Sequence, residues 1–349
     1  MTEADYLNWV VANTPTRWWH DSADSSELAV GLERGASGVT TNPVLTATAL
    51  TGSGDPWATE VKEVLAEDHS AEEKAEGLMG VAVRSAARTL LPVYEDTHGA
   101  DGYVCAQVNP ARAADRDAML AMTRRFHAWA PNIAVKLPAT AAGLDVLEDA
   151  VAEGITITAT VSFTVPQVLA IGERHQRGVR RATQKGIEPG RCYAVIMIGR
   201  LDDYLRDVVL DSRADVSEND IQSAGLAVTK RAYALSRQRG YEATLIIAAL
   251  RGTYHMTGLV GAELIMSIHP KYQTVLLQPG VPRQEHVADE VPQKSIDRLA
   301  TLPEFVRAYE PDGMRPEDFI TFGPTQKTLS QFHAAGWKCL EDFTPTRSG

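Results

Sequence analysis

The residue that sets the chemistry is Lys136, within Asn132-Ile133-Ala134-Val135-Lys136-Leu137. Side chains alternate faces along a strand. Ile133, Val135 and Leu137 therefore form a bulky apolar face, and Asn132, Ala134 and Lys136 point the other way, inward. An amine held in an interior is costly unless its pKa falls, and the neutral amine attacks carbonyls to give a carbinolamine and then an imine. A protonated imine is an electron sink for carbon–carbon cleavage. The ordinary alternative is a strand-end lysine reaching into solvent.

Neighbouring segments favour the chemical reading. Tyr103, Cys105 and Gln107 share one face of a strand, opposite Val104, Ala106 and Val108. Thr156, Thr158 and Thr160 alternate with Ile155, Ile157, Ala159 and Val161, which puts three hydroxyls on one side. Threonine favours strands in general, but strict alternation argues for a polar interior. Asp21 and Asn42 end two earlier strand-like runs, and Arg200 and Arg251 follow two later ones. Asp21 is the candidate base for a departing hydroxyl, although it could instead cap the helix that follows. Asn42, Gln107 and the threonines suit a polyhydroxylated substrate. The guanidinium forks of Arg200 and Arg251 suit phosphate oxygens, the bland alternative being surface ion pairs. His20 adjoins Asp21 but faces the opposite side by parity and reads as packing or surface.

These residues need a scaffold that brings strand ends together. Strand-like runs occur at 17–21, 38–42, 103–109, 132–137, 155–161, 192–197, 244–250 and 263–268, with helical stretches at 24–34, 73–92, 113–128, 141–153, 165–185, 219–238 and 254–261. Repeated strand–helix alternation implies a parallel sheet. Eight units suggest a closed (β/α)8 TIM barrel, with an open doubly wound sheet as the alternative. Active sites of such barrels lie at the C-terminal ends of the strands. The stretch Pro279–Asp289 reads as a connection, and helical patterns at 294–308 and 325–336 form a C-terminal helical extension. The expected division is a barrel over 1–280 and an extension over 281–349. Trp337 and Phe343, if exposed, would suit either a cover over the barrel mouth or self-association into a homo-oligomer, with helix packing as the ordinary alternative.

Composition bounds the function. With 349 residues, 44% of them hydrophobic, and a formal charge of −11, the chain can bury a sizeable core but lacks the dense positive surface of nucleic-acid binders. No apolar run approaches the length of a membrane span, and the acidic start MTEADYLNWVV lacks the basic region of a signal peptide, so a cytoplasmic location is expected. Cys105, Cys192 and Cys339 are too few and too scattered for a disulfide framework or a Cys-rich zinc site. The nine histidines show no HExxH spacing, and no Gly-rich phosphate loop is present. An imine supplies its own polarisation, so neither metal nor cofactor is expected.

The same residues carry a family resemblance. Asp21-Ser22-Ala23-Asp24 and Gly38-Val39-Thr40-Thr41-Asn42-Pro43 resemble the N-terminal signature of transaldolases. Ile133-Ala134-Val135-Lys136-Leu137-Pro138-Ala139-Thr140 resembles the family's Schiff-base strand. Thr158-Ala159-Thr160-Val161-Ser162-Phe163 resembles the next strand, and Gln167 matches a glutamine in the following helix. Ile198-Gly199-Arg200 and Ala248-Ala249-Leu250-Arg251 resemble the phosphate-arginine strands, and Met266-Ser267-Ile268-His269-Pro270 the last strand. Order and spacing hold across about residues 17–280.

The resemblance implies a (β/α)8 barrel in which Lys136 forms the Schiff base and Asp21 transfers protons. Asn42 would contact the dihydroxyacetone unit, Thr160 would help hold the catalytic water, and Arg200 and Arg251 would bind phosphate. The implied reaction moves a dihydroxyacetone unit from a ketose phosphate to an aldose phosphate, in carbohydrate metabolism of the pentose phosphate type. Several positions depart from the pattern. Gln107 stands where most transaldolases have glutamate, as in fructose-6-phosphate-aldolase-like relatives. Those relatives pair it with a strand-six tyrosine where this chain has Met197; Tyr193 is not an obvious substitute. A family asparagine is Thr158 here, and two phosphate-assisting serines are Val195 and Ala249. The alternatives are a Schiff-base aldolase that releases dihydroxyacetone, or a catalytically weak sugar-phosphate binder. Retention of both Lys136 and Asp21 argues against pure binding.

Overall fold

The computed structural model describes residues 5–52, 56–278 and 280–344. Pro279, where the expected connection begins, lies outside the described residues. The eight strands are β1 (Arg17–Asp21), β2 (Val39–Thr40), β3 (Val104–Gln107), β4 (Ile133–Pro138), β5 (Ile157–Thr160), β6 (Cys192–Met197), β7 (Thr244–Ala248) and β8 (Ile265–Ile268). They form a closed parallel barrel in sequence order, with β8 returning to β1. This is the expected TIM barrel with helices on the connections, and the open-sheet alternative is excluded.

Helices start where the sequence supplies caps. Thr140, Thr164 and Ser217 accept backbone N–H bonds at the starts of helices Ala141–Ala152, Val165–Gln184 and Glu218–Gln238. Thr140 and Thr164 stand between a strand and its outer helix, so they also fix where β4 and β5 stop, while Ser217 starts a helix that follows another helix. Register then sets the site: Gln107 lies opposite Lys136, and Lys136 opposite Thr158. At the other mouth the rings of Trp19 and Tyr103 meet that of Tyr193 at 4.8 and 5.8 Å between centroids. These inward aromatics close the barrel below the polar layer, and they explain why Tyr193 cannot stand in for a tyrosine at the catalytic end.

Two expectations are corrected, and one alternative is settled. Asn132 precedes β4 and does not line the interior. Its amide donates to the Ala87 and Gly102 carbonyls at 3.0 and 2.9 Å, tying the helix Ala71–Asp96 to the barrel. Parity fails there because the chain is not yet extended strand. The helical pattern at 294–308 is two helices, Gln293–Leu299 and Pro303–Tyr309; Pro303 cannot supply the N–H that a helix interior needs, so it starts the second. Trp337 and Phe343 are buried. The segment Gly323–Glu341 packs over the barrel, and a Cβ on Gly336 would lie 2.6 Å from the Val44 backbone nitrogen. Only a glycine allows that approach, and it is this approach that seats Trp337.

Candidate active site

Lys136 is 6% exposed, and its Nζ donates to the Thr41 carbonyl at 3.0 Å. Among the described residues no carboxylate pairs with it. Thr41 is itself held by its hydroxyl, which donates to the Cys105 carbonyl at 2.7 Å. The amine therefore rests on a fixed backbone acceptor rather than on a counter-ion. Burial pushes the Cys105 thiol up; Lys136 pulls it down and Asp21 pushes it further up.

Asp21 is oriented by a hydroxyl chain. Thr40 Oγ1 donates to Asp21 Oδ1 at 2.8 Å and lies 2.6 Å from Ser267 Oγ. A hydroxyl has one proton to give, so Ser267 donates to Thr40. The chain fixes the carboxylate and leaves its second oxygen for another partner. Ser267 was not singled out as a site residue, yet its signal was present: it is a polar residue alternating with apolar ones in β8.

Gln107 and Thr160 are nearly inaccessible, and Gln107 Oε1 and Thr160 Oγ1 are buried without a hydrogen-bond partner. Buried polar atoms ordinarily find partners, so both are available to a ligand or to water. Thr158 shares the interior and lies 3.4 Å from Cys105 Sγ. Asn42 serves a structural role as well: its Oδ1 accepts from the backbone N–H groups of Val44 and Leu45 at 2.9 and 3.0 Å, capping the helix Pro43–Thr51. Its amide nitrogen is the part left for a ligand.

The two arginines also meet. A Cβ on Gly199 would lie 2.4 Å from the Ala249 carbonyl oxygen and from Arg251 Cγ, so glycine permits the β6 and β7 ends to close on one another. Asp203 accepts from Arg251 Nε at 2.8 Å and from Arg251 Nη2 at 2.7 Å, and also binds Arg206 at 3.1 Å. Arg200 has no carboxylate partner among the described residues; its Nε is buried and unpartnered. Burial and the neighbouring Arg251 push its guanidinium down to about 10. Asp203 is divided between Arg251 and Arg206, and Arg200 has no carboxylate of its own among the described residues, which favours an incoming anion. Val195 in β6 and Ala249 just after β7 place apolar side chains where the resemblance leads one to expect serines.

Behind Arg251 stands a buried pair that the sequence reading missed. Arg251 N donates to His255 Nδ1 at 3.2 Å, so His255 Nε2 carries the proton and donates to Asp202 Oδ2 at 2.8 Å. His20, as parity predicted, faces away from the site and is buried against Gln273 and Gly31. Burial pushes its imidazole below the usual range. A cavity of about 1260 Å³ opens at the opposite mouth, lined by Arg17, Tyr103 and Tyr193 among others, but none of the eight predicted site residues borders it. The functional groups, not the volume, mark the site.

Fold and site together define a (β/α)8 barrel with a buried lysine on β4, without a carboxylate partner among the described residues, and a polar layer at its C-terminal mouth. The Transaldolase/Fructose-6-phosphate aldolase family model matches residues 18–316, and the chain belongs to that family. A transaldolase of Thermobifida fusca is 28% identical over 304 residues, covering 81% of this chain and 78% of that protein. One of Thiobacillus denitrificans is 28% identical over 303 residues, covering 79% and 82%. One of Neisseria gonorrhoeae is 33% identical over 193 residues, covering 54% of each.

Proposed function

We propose that this protein is a Schiff-base transaldolase that moves a dihydroxyacetone unit from a ketose phosphate to an aldose phosphate. The observation that carries the reading is the buried Lys136 amine, bonded to a carbonyl and free of any carboxylate among the described residues. The amine attacks the ketose carbonyl carbon, and loss of water gives the iminium. Asp21 takes the proton from the hydroxyl beyond the scissile bond. That bond breaks, the aldehyde leaves, and its electron pair remains on the lysine-bound three-carbon enamine. The enamine then attacks an acceptor aldehyde, Asp21 returns the proton, and hydrolysis frees Lys136. Gln107 and Thr160 hold the water exchanged in imine formation. Asn42 and Thr158 contact sugar hydroxyls, and Arg200 with Arg251 holds the terminal phosphate and orients the chain.

Gln107 supports a second reading. The fructose-6-phosphate-aldolase-like relatives that the sequence resembles also carry glutamine at this position, which supports release of dihydroxyacetone, with the enamine protonated and the imine hydrolysed, as the alternative to transfer. One experiment decides between chemistry and binding. Fructose 6-phosphate is added, borohydride follows, and intact mass is measured. A three-carbon or ketose adduct is expected in the wild type and absent in Lys136→Ala. Absence of adduct across a broad ketose panel would sink the enzymatic reading. Acceptor-dependent turnover then separates transferase from aldolase.

A further inference from the structure

The C-terminal extension reaches into the proposed anion subsite. Arg200 Nη1 donates to Gln331 Oε1 at 2.7 Å, and the Arg200 guanidinium carbon lies 5.3 Å from the Phe332 ring centroid. Phe332 is 3% exposed. Immediately beyond it, the π-helical turn His333–Trp337 seats Gly336 on Pro43 and Val44, next to Asn42. One short segment therefore touches the arginine end of the site and the loop that presents the asparagine. The carboxamide oxygen of Gln331 satisfies one edge of the guanidinium and leaves its amide N–H groups to donate. Its position, 131 residues from Arg200 in sequence, is held by the buried aromatics that follow it.

From this geometry we infer that Gln331 is a specificity-determining residue: it completes the subsite for the substrate's phosphate, and the C-terminal segment forms that subsite's outer wall. The inference rests on the reading of Arg200 and Arg251 as the anion subsite. Phosphate would bring its oxygens to the unpaired edge of Arg200 and take an N–H from Gln331, with the Phe332 ring packed against the guanidinium. A neutral carboxamide allows this. A carboxylate at the same position would supply Arg200 with an internal counter-ion and compete with the ligand.

Two measurements test the inference. The first needs no turnover: thermal unfolding of the full chain with and without inorganic phosphate. Phosphate is expected to raise the midpoint of the wild type, by less in Gln331→Met, and to leave Gln331→Glu unmoved. Binding to the native state alone stabilises in this way. The second is the ratio of kcat/KM for fructose 6-phosphate to that for unphosphorylated fructose. It is expected to fall about tenfold in Gln331→Glu, the scale of one charge-assisted contact. An unshifted wild-type midpoint in phosphate, or a Gln331→Glu variant that responds as the wild type does, would overturn the inference. If the protein turns over no ketose, the Schiff-base reading fails and the phosphate arm still decides the role of Gln331.

Discussion

Gln167 Nε2 donates to the Val161 carbonyl at 3.2 Å, across the turn that ends β5. Val161 has a φ of 54°, a left-handed conformation that β-branched residues avoid. The same side chain accepts from Phe163 N at 2.9 Å and donates to the Ala139 carbonyl at 3.4 Å, so it ties the turns after β4 and β5 together. Strain of this kind persists only where the surroundings over-determine it. Gln167→Leu removes the brace and strands several buried polar groups, at an expected cost of about 2–4 kcal/mol. Urea unfolding reads that loss. Thr160 directly precedes the turn, so the rate of borohydride-trappable adduct formation should fall about tenfold or more, since small displacements of a positioned group are costly. An unchanged midpoint and trapping rate would show that the turn holds itself.

Much of this arrangement was legible in the sequence because it depends on local alternation. The limits of β1 and β6 matched the apolar runs, and the inward sets of β3, β4 and β5 followed from parity once each strand was extended. Parity misplaced Asn132, where the strand had not begun. It also could not reveal partners distant in sequence. Asp203 on Arg251, His255 behind Arg251, and Gln331 on Arg200 depend on how helices pack after the barrel closes. Hydrophobicity alone does not say which appended element finds a surface to cover, so the sequence leaves Trp337 and Phe343 open between an exposed face and the helix packing that the structure shows.

Gln107 offers a direct test of the water-handling step. It lies in register with Lys136, and its Oε1 is buried without a partner. A carboxylate in that position could accept the proton of the water that the amide can only orient. Gln107→Glu is expected to raise transaldolase turnover several-fold, within the range of a positioned general base. Steady-state rates with fructose 6-phosphate and an aldose phosphate acceptor measure it. A large loss of rate instead would mean that the interior is tuned to a neutral amide.

Asp202 and His255 are both fully buried, and their bond ends on the backbone of Arg251. Burial pushes the Asp202 carboxyl up, while the bond from His255 opposes that rise. His255→Phe leaves the carboxylate with its Gly225 N–H partner and a weak Tyr254 contact. The expected destabilisation is about 2–4 kcal/mol. The double variant Asp202→Leu/His255→Phe should recover part of that loss, because the buried carboxylate that lost its imidazole partner is gone; the Gly225 and Arg251 N–H groups still lose their acceptors, so recovery is incomplete. Urea midpoints of the singles and the double give the coupling. KM for fructose 6-phosphate should rise in His255→Phe as the Arg251 backbone shifts. Strict additivity of the two singles would show that the pair does not act as a unit.

The extension is anchored to the barrel by a charge pair with a defined acid sensitivity. Arg298 Nε donates to Asp220 Oδ2 at 2.6 Å, and Asp220 also caps its own helix through Ser217. The Arg298 guanidinium, ahead of the Ser217 hydroxyl, holds the Asp220 carboxyl well below the usual carboxylate range. A carboxyl depressed in the folded state adds stability above its unfolded pKa, near 4 by the usual aspartate scale of about 3.9, and loses it as pH falls toward the folded value. Asp220→Asn should therefore lower the urea midpoint at pH 7, by about 1–3 kcal/mol for the lost charged contact. The gap between variant and wild type should narrow as pH is taken below about 4. A gap that stays constant from pH 7 to pH 3 would assign the anchoring of the helix Gln293–Leu299 to packing rather than to this pair.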